Sequence, residues 1–221
     1  MEHRIIDQQL DVLRDKVLLL GGATEEALHR AMRSLVERDS KLARQVLDDD
    51  KIIDQMEIGI DRMSAEILAL QQPAAHDLRL VISVAKITPV LERIADHAGN
   101  IAEAALIIND GPQVKPIADL SIMADNASEM LKQALDAFME EDTEASRKII
   151  RQDKIIDDAY RRAFGELIGI IINDPTTTTS AAQLLFVAKH LERIGDYVKD
   201  MCELTVYLTE AAFIKHSRAD F

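Results

Sequence analysis

Two short words occur twice in this chain. Asp50-Lys51-Ile52-Ile53-Asp54 returns as Asp153-Lys154-Ile155-Ile156-Asp157, and Leu91-Glu92-Arg93-Ile94-Ala95-Asp96 returns as Leu191-Glu192-Arg193-Ile194-Gly195-Asp196. A duplicated unit restricts the fold to two copies of one architecture. The words narrow that architecture further, because each holds two carboxylates four residues apart, a spacing that an α-helix places on one side, one turn from each other.

Apolar residues recur at helical spacing almost throughout, as in Ala31, Met32, Leu35 and Val36 and again in Ile53, Met56, Ile60 and Met63. Breaks fall at Asp39-Ser40, from Gln71 to Pro73, from Asn109 to Pro116, at Glu141-Asp142-Thr143 and at Asp174-Pro175. The fold predicted is all-α: a tandem duplication of an antiparallel three-helix bundle, six long helices in total, each about 45 Å if it runs roughly 30 residues. Residues 1–109 form the first repeat, 110–116 a linker, 117–210 the second repeat and 211–221 a C-terminal tail. Leu28, Leu35, Glu37 and Asp39 fall on Leu131, Phe138, Glu140 and Asp142 at the offset of the Asp words. The Leu-Glu-Arg-Ile words sit at an offset three residues shorter, and an insertion inside the third helix would rotate its apolar face by about 60°. The difference therefore belongs in the connecting loop. Gly21-Gly22 and Pro89 lie inside predicted helices, where a weak or kinked turn is expected, with Gly21-Gly22 also suited to a close approach between helices.

Composition excludes several classes of function. With a net charge of −13, no Trp and 4% aromatics, the chain lacks both the phosphate attraction and the stacking platforms of nucleic-acid binding. No apolar run approaches the ~18 residues that span a bilayer. Met1 to Gln9 is polar and charged rather than an apolar leader, and a cytoplasmic protein without membrane insertion is expected. The single cysteine, Cys202, rules out an internal disulfide and a CxxC site. No GxGxxG, GxxxxGK or GxSxG pattern appears, so catalysis has little support.

The acidic words are the remaining candidates. Asp50, Asp54, Glu57 and Asp61 form a stripe beside the apolar face of the second helix, and only the first two recur, Tyr160 and Phe164 standing where Glu57 and Asp61 would repeat. On the third helix Glu92, Asp96, Asn100 and Glu103 face the polar side, and Glu192, Asp196, Asp200 and Glu203 repeat that stripe. If the second and third helices are antiparallel about Pro73, Glu92 lies level with about position 55 and Asp96 with about position 51. In the second half Asp196 lies level with Ile156 and Glu192 with Tyr160. Two clusters follow, Asp50, Asp54, Glu92 and Asp96 in one and Asp153, Asp157, Glu192 and Asp196 in the other. Carboxylates about 6 Å apart repel by about 2 to 3 kcal/mol per pair at an effective dielectric of 20, so a compensating cation is expected.

The residues alone leave that cation open. Arg93 and Arg193 could supply it, a hard metal such as Mg²⁺, Mn²⁺, Ca²⁺ or iron could, or the stripes could be solvated ion-pair surfaces. An inward-facing di-iron enzyme needs two Glu-x-x-His motifs, and Glu26-Ala27-Leu28-His29 is the one match, its counterpart being Glu129-Met130-Leu131-Lys132. His97 and His190 adjoin the repeated words but do not themselves recur.

The duplicated Glu-Arg-Ile-Gly/Ala-Asp words, the Asp words before them, Gln72-Pro73-Ala74-Ala75-His76-Asp77-Leu78-Arg79 and the stretch from Leu13-Arg14 to Gly21-Gly22 together resemble the PhoU family over nearly the whole chain. That resemblance implies two three-helix bundles side by side and a homodimer. It implies a non-enzymatic role restraining the phosphate-specific ABC transporter and the phosphate-starvation two-component system, with the transporter's ATPase subunit and the sensor histidine kinase as partners. It also implies divalent or ferric metal (iron, manganese, magnesium or zinc) at the E/D-x-x-x-D motifs on the outer face. The matching positions are Glu92, Asp96, Glu192 and Asp196, with Asp50, Asp54, Asp153 and Asp157 as companions. Ala95 departs from the family's glycine, and Pro89 is foreign to the pattern. The alternative function is a carboxylate-bridged metal enzyme or an iron-handling bundle on the same side chains.

Overall fold

The structure is a computed structural model that describes residues 5–112, 114, 118–212 and 214. These residues form six long α-helices and one short 3-10 turn at Pro175–Thr177, with no strand among them. Helices α1 (Ile5–Val36), α2 (Ser40–Gln71) and α3 (Ala75–Asp110) make the first bundle; α4 (Ala118–Glu140), α5 (Thr143–Asn173) and α6 (Thr178–Glu210) make the second. None is long and apolar enough to cross a membrane. The tail word Lys215-His216-Ser217-Arg218 lies outside the described residues.

The chain reverses by the same device in both halves. Arg38 and Glu141, which correspond through the duplication, both adopt left-handed backbone with φ of 55° and 56°. Each precedes an aspartate that caps the next helix: Asp39 Oδ1 accepts from Lys41 N (2.9 Å) and Leu42 N (3.0 Å), and Asp142 Oδ1 from Ala145 N (2.9 Å). Such a cap is worth about 1 kcal/mol. Arg38 also donates through Nη2 to the carbonyls of Asn109 and Gly111 at 2.7 and 2.8 Å, tying the first turn to the end of α3.

The apolar faces then meet as periodicity requires. Leu28 and Leu131, Leu35 and Phe138, and Ile53 and Ile156 are all buried at the offset of the Asp words. Along α3 and α6 the shorter offset holds from end to end: Val81 with Ala181, Ile87 with Val187, Leu91 with Leu191, and Ile101 with Met201 are buried in pairs. No residue is inserted within the third helix after its first turn. The same offset sets Ala75, where α3 opens, against Pro175, where the 3-10 turn leading into α6 opens, so the three-residue difference falls ahead of both, around the connection from α2 to α3.

One continuous core joins the bundles through α3 packed on α6 and α1 packed on α4. Both α1 and α3 are unbroken across Gly21-Gly22 and Pro89. Gly21 serves the close approach: a Cβ there would stand 2.5 Å from Leu135 Cδ2, on α4 of the other bundle. Thr88, beside Pro89 in the buried face of α3, donates through Oγ1 to Val84 O at 2.9 Å.

Two family-like words prove to be a clasp between the bundles. Arg14 Nη2 (α1) donates to Glu141 Oε1 at 2.6 Å, His76 Nε2 (α3) lies 2.7 Å from Glu141 Oε2, and Arg79 Nε donates to Leu208 O on α6 at 2.8 Å. Substituting Gly21→Val overpacks the α1–α4 contact and is expected to destabilise the fold by about 1–3 kcal/mol. Denaturant unfolding of Gly21→Val, Leu135→Ala and the double variant checks this: the double should recover part of the loss, and strict additivity would remove the contact as its cause.

Candidate metal centre

Helices α2 and α3 are antiparallel neighbours joined by residues 72–74, so their polar flanks share a level. Asp50, Asp54 and Glu57 project from α2 beside buried Ile53 and Ile60, and Glu92 and Asp96 from α3 beside buried Leu91 and Ile94. The electrostatics record their proximity. Glu92 is pushed up to about 7 from the ordinary 4.5, first by burial and then by Asp96, Glu57 and Asp54, with Arg93 opposing. Asp50 is raised by burial, then by Asp54 and Asp96; Glu57 by burial, then by Asp61, Asp54 and Asp96, again against Arg93. The pairing of Asp96 with Asp50, and of Glu92 with Asp54 and Glu57, is the register expected from equal rise about Pro73. Arg30 is close by but committed to Asp49, its Nη1 donating to Oδ2 at 2.7 Å.

The second bundle answers the same problem differently. Asp153 is buried at 4% exposure, and Lys199 Nζ lies 2.5 Å from its Oδ2 and 2.8 Å from Asp196 Oδ1. Asp157 and Asp196 raise the Asp153 pKa after burial, the largest influence, while Lys199 opposes them. Burial works against the Lys199 ammonium, yet hydrogen bonds to Asp153 and Asp196 outweigh it and hold its pKa above the ordinary lysine value. Lys189 Nζ reaches Glu192 Oε2 at 2.6 Å and lies 5.5 Å from the Tyr160 ring centroid. Arg193 adds longer contacts, Nη1 to Asp196 Oδ2 at 3.6 Å and Nε to Glu192 Oε2 at 3.9 Å.

All eight expected acids therefore lie in two groups, one per bundle. Among the described residues, no three His, Cys, Asp or Glu side chains meet closely enough to ligate one ion. The first group has a common level and a deficit of positive charge rather than a closed coordination shell. Its donors are all carboxylate oxygens, the set that hard cations take. In the second, Lys199, Lys189 and Arg193 already pair with Asp153, Glu192 and Asp196.

The cations Lys199 and Lys189 are what reasoning from the words missed. The duplication carried the signal, since Gly99 and Pro89 occupy the corresponding places in the first half. His29 and Glu26 are exposed on α1, away from the core that an inward di-iron site requires. His97 and His190 face each other across the α3–α6 seam, Nδ1 to Nδ1 at 2.9 Å, with Tyr197 stacked on His97 at 5.5 Å. Burial, then His190 and Arg193, push His97 down to about 4, so it is neutral at pH 7 and serves the seam as a hydrogen-bonding ring.

Comparison with known proteins agrees with the words and the fold. The family model described as the PhoU domain matches twice, at residues 17–105 and 120–205. The chain belongs to the PhoU family. It is 36% identical over 220 residues to the phosphate-specific transport system accessory protein PhoU homolog of Pseudomonas putida, covering 98% of this chain and 86% of that one. It is 33% identical over 212 residues to the phosphate-specific transport system accessory protein PhoU of Escherichia coli K12, covering 96% and 88%. The crystal structure of PhoU from Pseudomonas aeruginosa superposes with a TM-score of 0.89 at 34% identity, over 93% of this chain and 99% of that one. The phosphate transport system regulatory protein PhoU from Streptococcus pneumoniae gives 0.89 at 30% identity, over 95% and 99%. These relatives carry the names of accessory and regulatory proteins rather than of enzymes.

The raised Glu92 pKa has a defined sign in metal-free protein. Between the ordinary 4.5 and about 7 the folded chain holds a proton that the unfolded chain releases. Stability therefore falls as pH rises through this window, with Asp50 and Glu57 contributing in the same direction. Glu92→Gln should flatten the decline in chelator-treated protein. An equal slope in both proteins, followed by denaturant midpoints from pH 4 to pH 8, would show that Glu92 does not carry it.

Proposed function

We propose that this chain is a cytoplasmic accessory protein of the phosphate-specific transport system that restrains phosphate uptake and keeps phosphate-starvation signalling off when phosphate is plentiful. What supports this reading is the match of both bundles to the PhoU domain, together with relatives named as accessory proteins of the phosphate-specific transport system. The partners are the transporter's ATPase subunit and the sensor histidine kinase, and the chain works as a homodimer. Long helices with exposed apolar side chains such as Leu19, Ile52, Ile58 and Phe186 offer docking faces. Retention of the ATPase subunit on the immobilised chain, compared at high and low phosphate, tests the role; no retention at either level would remove it.

The metal part of the proposal rests on the first bundle. Asp50, Asp54, Glu92 and Asp96 would hold a divalent or ferric ion, with Glu57 alongside. When bound, the ion supplies positive charge that lets the set ionise together. The support is the deficit itself: three of these carboxylates resist ionisation, and Arg93 is the one cation that eases them among the influences on Glu92 and Glu57. Protein purified without chelator and assayed for iron, manganese and zinc should lose most of its metal on Glu92→Gln with Asp96→Asn. Equal metal in the variant and the parent would place the ion elsewhere.

A further inference from the structure

Among the differences between the two copies, four bear on how the carboxylates of the second cluster are held, although Asn100 and Gln55 also give way to Asp200 and Asp158. Gly99 becomes Lys199, Pro89 becomes Lys189, Glu57 becomes Tyr160 and Ala95 becomes Gly195. The first two add a cation to the second bundle, the third removes a carboxylate, and the fourth makes room. A Cβ on Gly195 would stand 2.5 Å from Asp153 Oδ1 and 3.0 Å from Ile156 Cδ1, so only glycine lets the Asp153 carboxylate sink against the backbone of α6. In the first bundle the Ala95 methyl fills that place, and Asp50 is only partly buried. Seated in its notch, Asp153 comes within reach of Lys199, one turn beyond Asp196 on α6.

From this we propose that Lys199 is the resident cation of the second bundle: its ammonium bridges Asp153 and Asp196, so this chain takes up metal through its first bundle alone. The inference rests on the metal reading of the first bundle for its one-sidedness, but the lysine's role stands on its own geometry. A metal ion bound to these two oxygens would lie about 2.0–2.6 Å from each. At 2.5 and 2.8 Å from the same oxygens, the Lys199 nitrogen already occupies that position. The ammonium is half-buried and tied to two carboxylates, whereas Gly99 offers the first bundle nothing of the kind. A lysine delivers one fixed positive charge on a covalent tether. A metal is exchangeable. The duplication has therefore produced one cluster held shut by the chain and one dependent on an ion from solution.

Metal content reads this directly. Full-length parent, Glu92→Gln/Asp96→Asn, Glu192→Gln/Asp196→Asn, Lys199→Gly and Lys199→Met would each be equilibrated with Mn²⁺, freed of excess ion and assayed for manganese per chain, with circular dichroism to confirm folding. Lys199→Met keeps an aliphatic stem in the seam should glycine weaken α6. The expected result is that Glu192→Gln/Asp196→Asn leaves the parent's manganese unchanged, while removing the lysine about doubles it. The gain should vanish when Glu192→Gln/Asp196→Asn is added to the lysine variant. A loss of manganese from the parent on Glu192→Gln/Asp196→Asn would overturn the proposal, as would the absence of any gain in both folded lysine variants. The metal reading of the first bundle fails separately, through a parent whose manganese does not respond to Glu92→Gln/Asp96→Asn; the lysine arm still decides the present inference in that case.

Discussion

The packing of α3 on α6 sets the terms for the rest of the molecule. Each of these helices belongs to its own bundle and also forms the seam between bundles, so each is buried on two sides. On α3 the buried residues include Leu80, Val84, Val90, Leu91 and Ala104, which no single stripe covers, whereas α2 buries one narrow row through Val46, Ile53, Ile60 and Ile67. A helix enclosed in this way has little circumference left for charge. Glu92 and Asp96 lie on the strip that faces α2, while polar side chains such as Arg79 and His97 reach α6. The crowding of carboxylates there arises where the acidic words of α2 and α3 share a level.

Crowding of this kind needs an answer in the folded state, because partly desolvated like charges raise one another's pKa until some stay protonated or a cation arrives. The first bundle shows the problem, with Glu92 at about 7. The second shows one solution, with Lys199 between Asp153 and Asp196. A buried ion pair contributes little net stability relative to apolar packing, but removing one partner from it is costly because the other charge is left behind. Lys199 on α6 joins its own Asp196 to Asp153 on α5, so loss of either partner strands the other charge. Gly195 is part of the same arrangement, since it admits Asp153 to the depth at which the bridge forms.

Much of this was legible in the sequence. Helix boundaries followed from Asp39, Pro73, Asp142 and Asp174-Pro175 because capping and turn chemistry are local. The bundle register followed from the buried face shared by α3 and α6, since periodicity survives duplication. The level of the acidic pairs followed from rise per residue alone. What the words did not convey was where the two halves stop being equivalent. Gly99 and Lys199 lie outside the matching letters, and their effect depends on how deeply Asp153 sits, which is decided by the methyl of Ala95 against its absence in Gly195. The three-residue offset could be placed in the connection because an insertion within the third helix would rotate its apolar face. The clasp of Arg14, His76 and Glu141 joins three separate segments, and nothing local in any one of them announces the other two.

The seam also explains why the halves could diverge without losing the fold. Residues that pack α3 on α6 answer to both bundles at once, so a change there disturbs two cores. The strip facing α2 or α5 answers to one. Substitution of Gly99 by lysine in the other copy, or of Glu57 by tyrosine, alters charge on that strip while the pairs Leu91 with Leu191 and Ile94 with Ile194 stay fully buried. Charge varied on that strip while these packed pairs were kept, although the seam also differs at Val90/His190 and His97/Tyr197. If one bundle closes on a lysine and the other on an ion, any change in the ion's occupancy acts on α2 and α3 against a second bundle whose own geometry is held by covalently tethered charge. The shared core then transmits a difference between the bundles through α3, rather than a common shift of both.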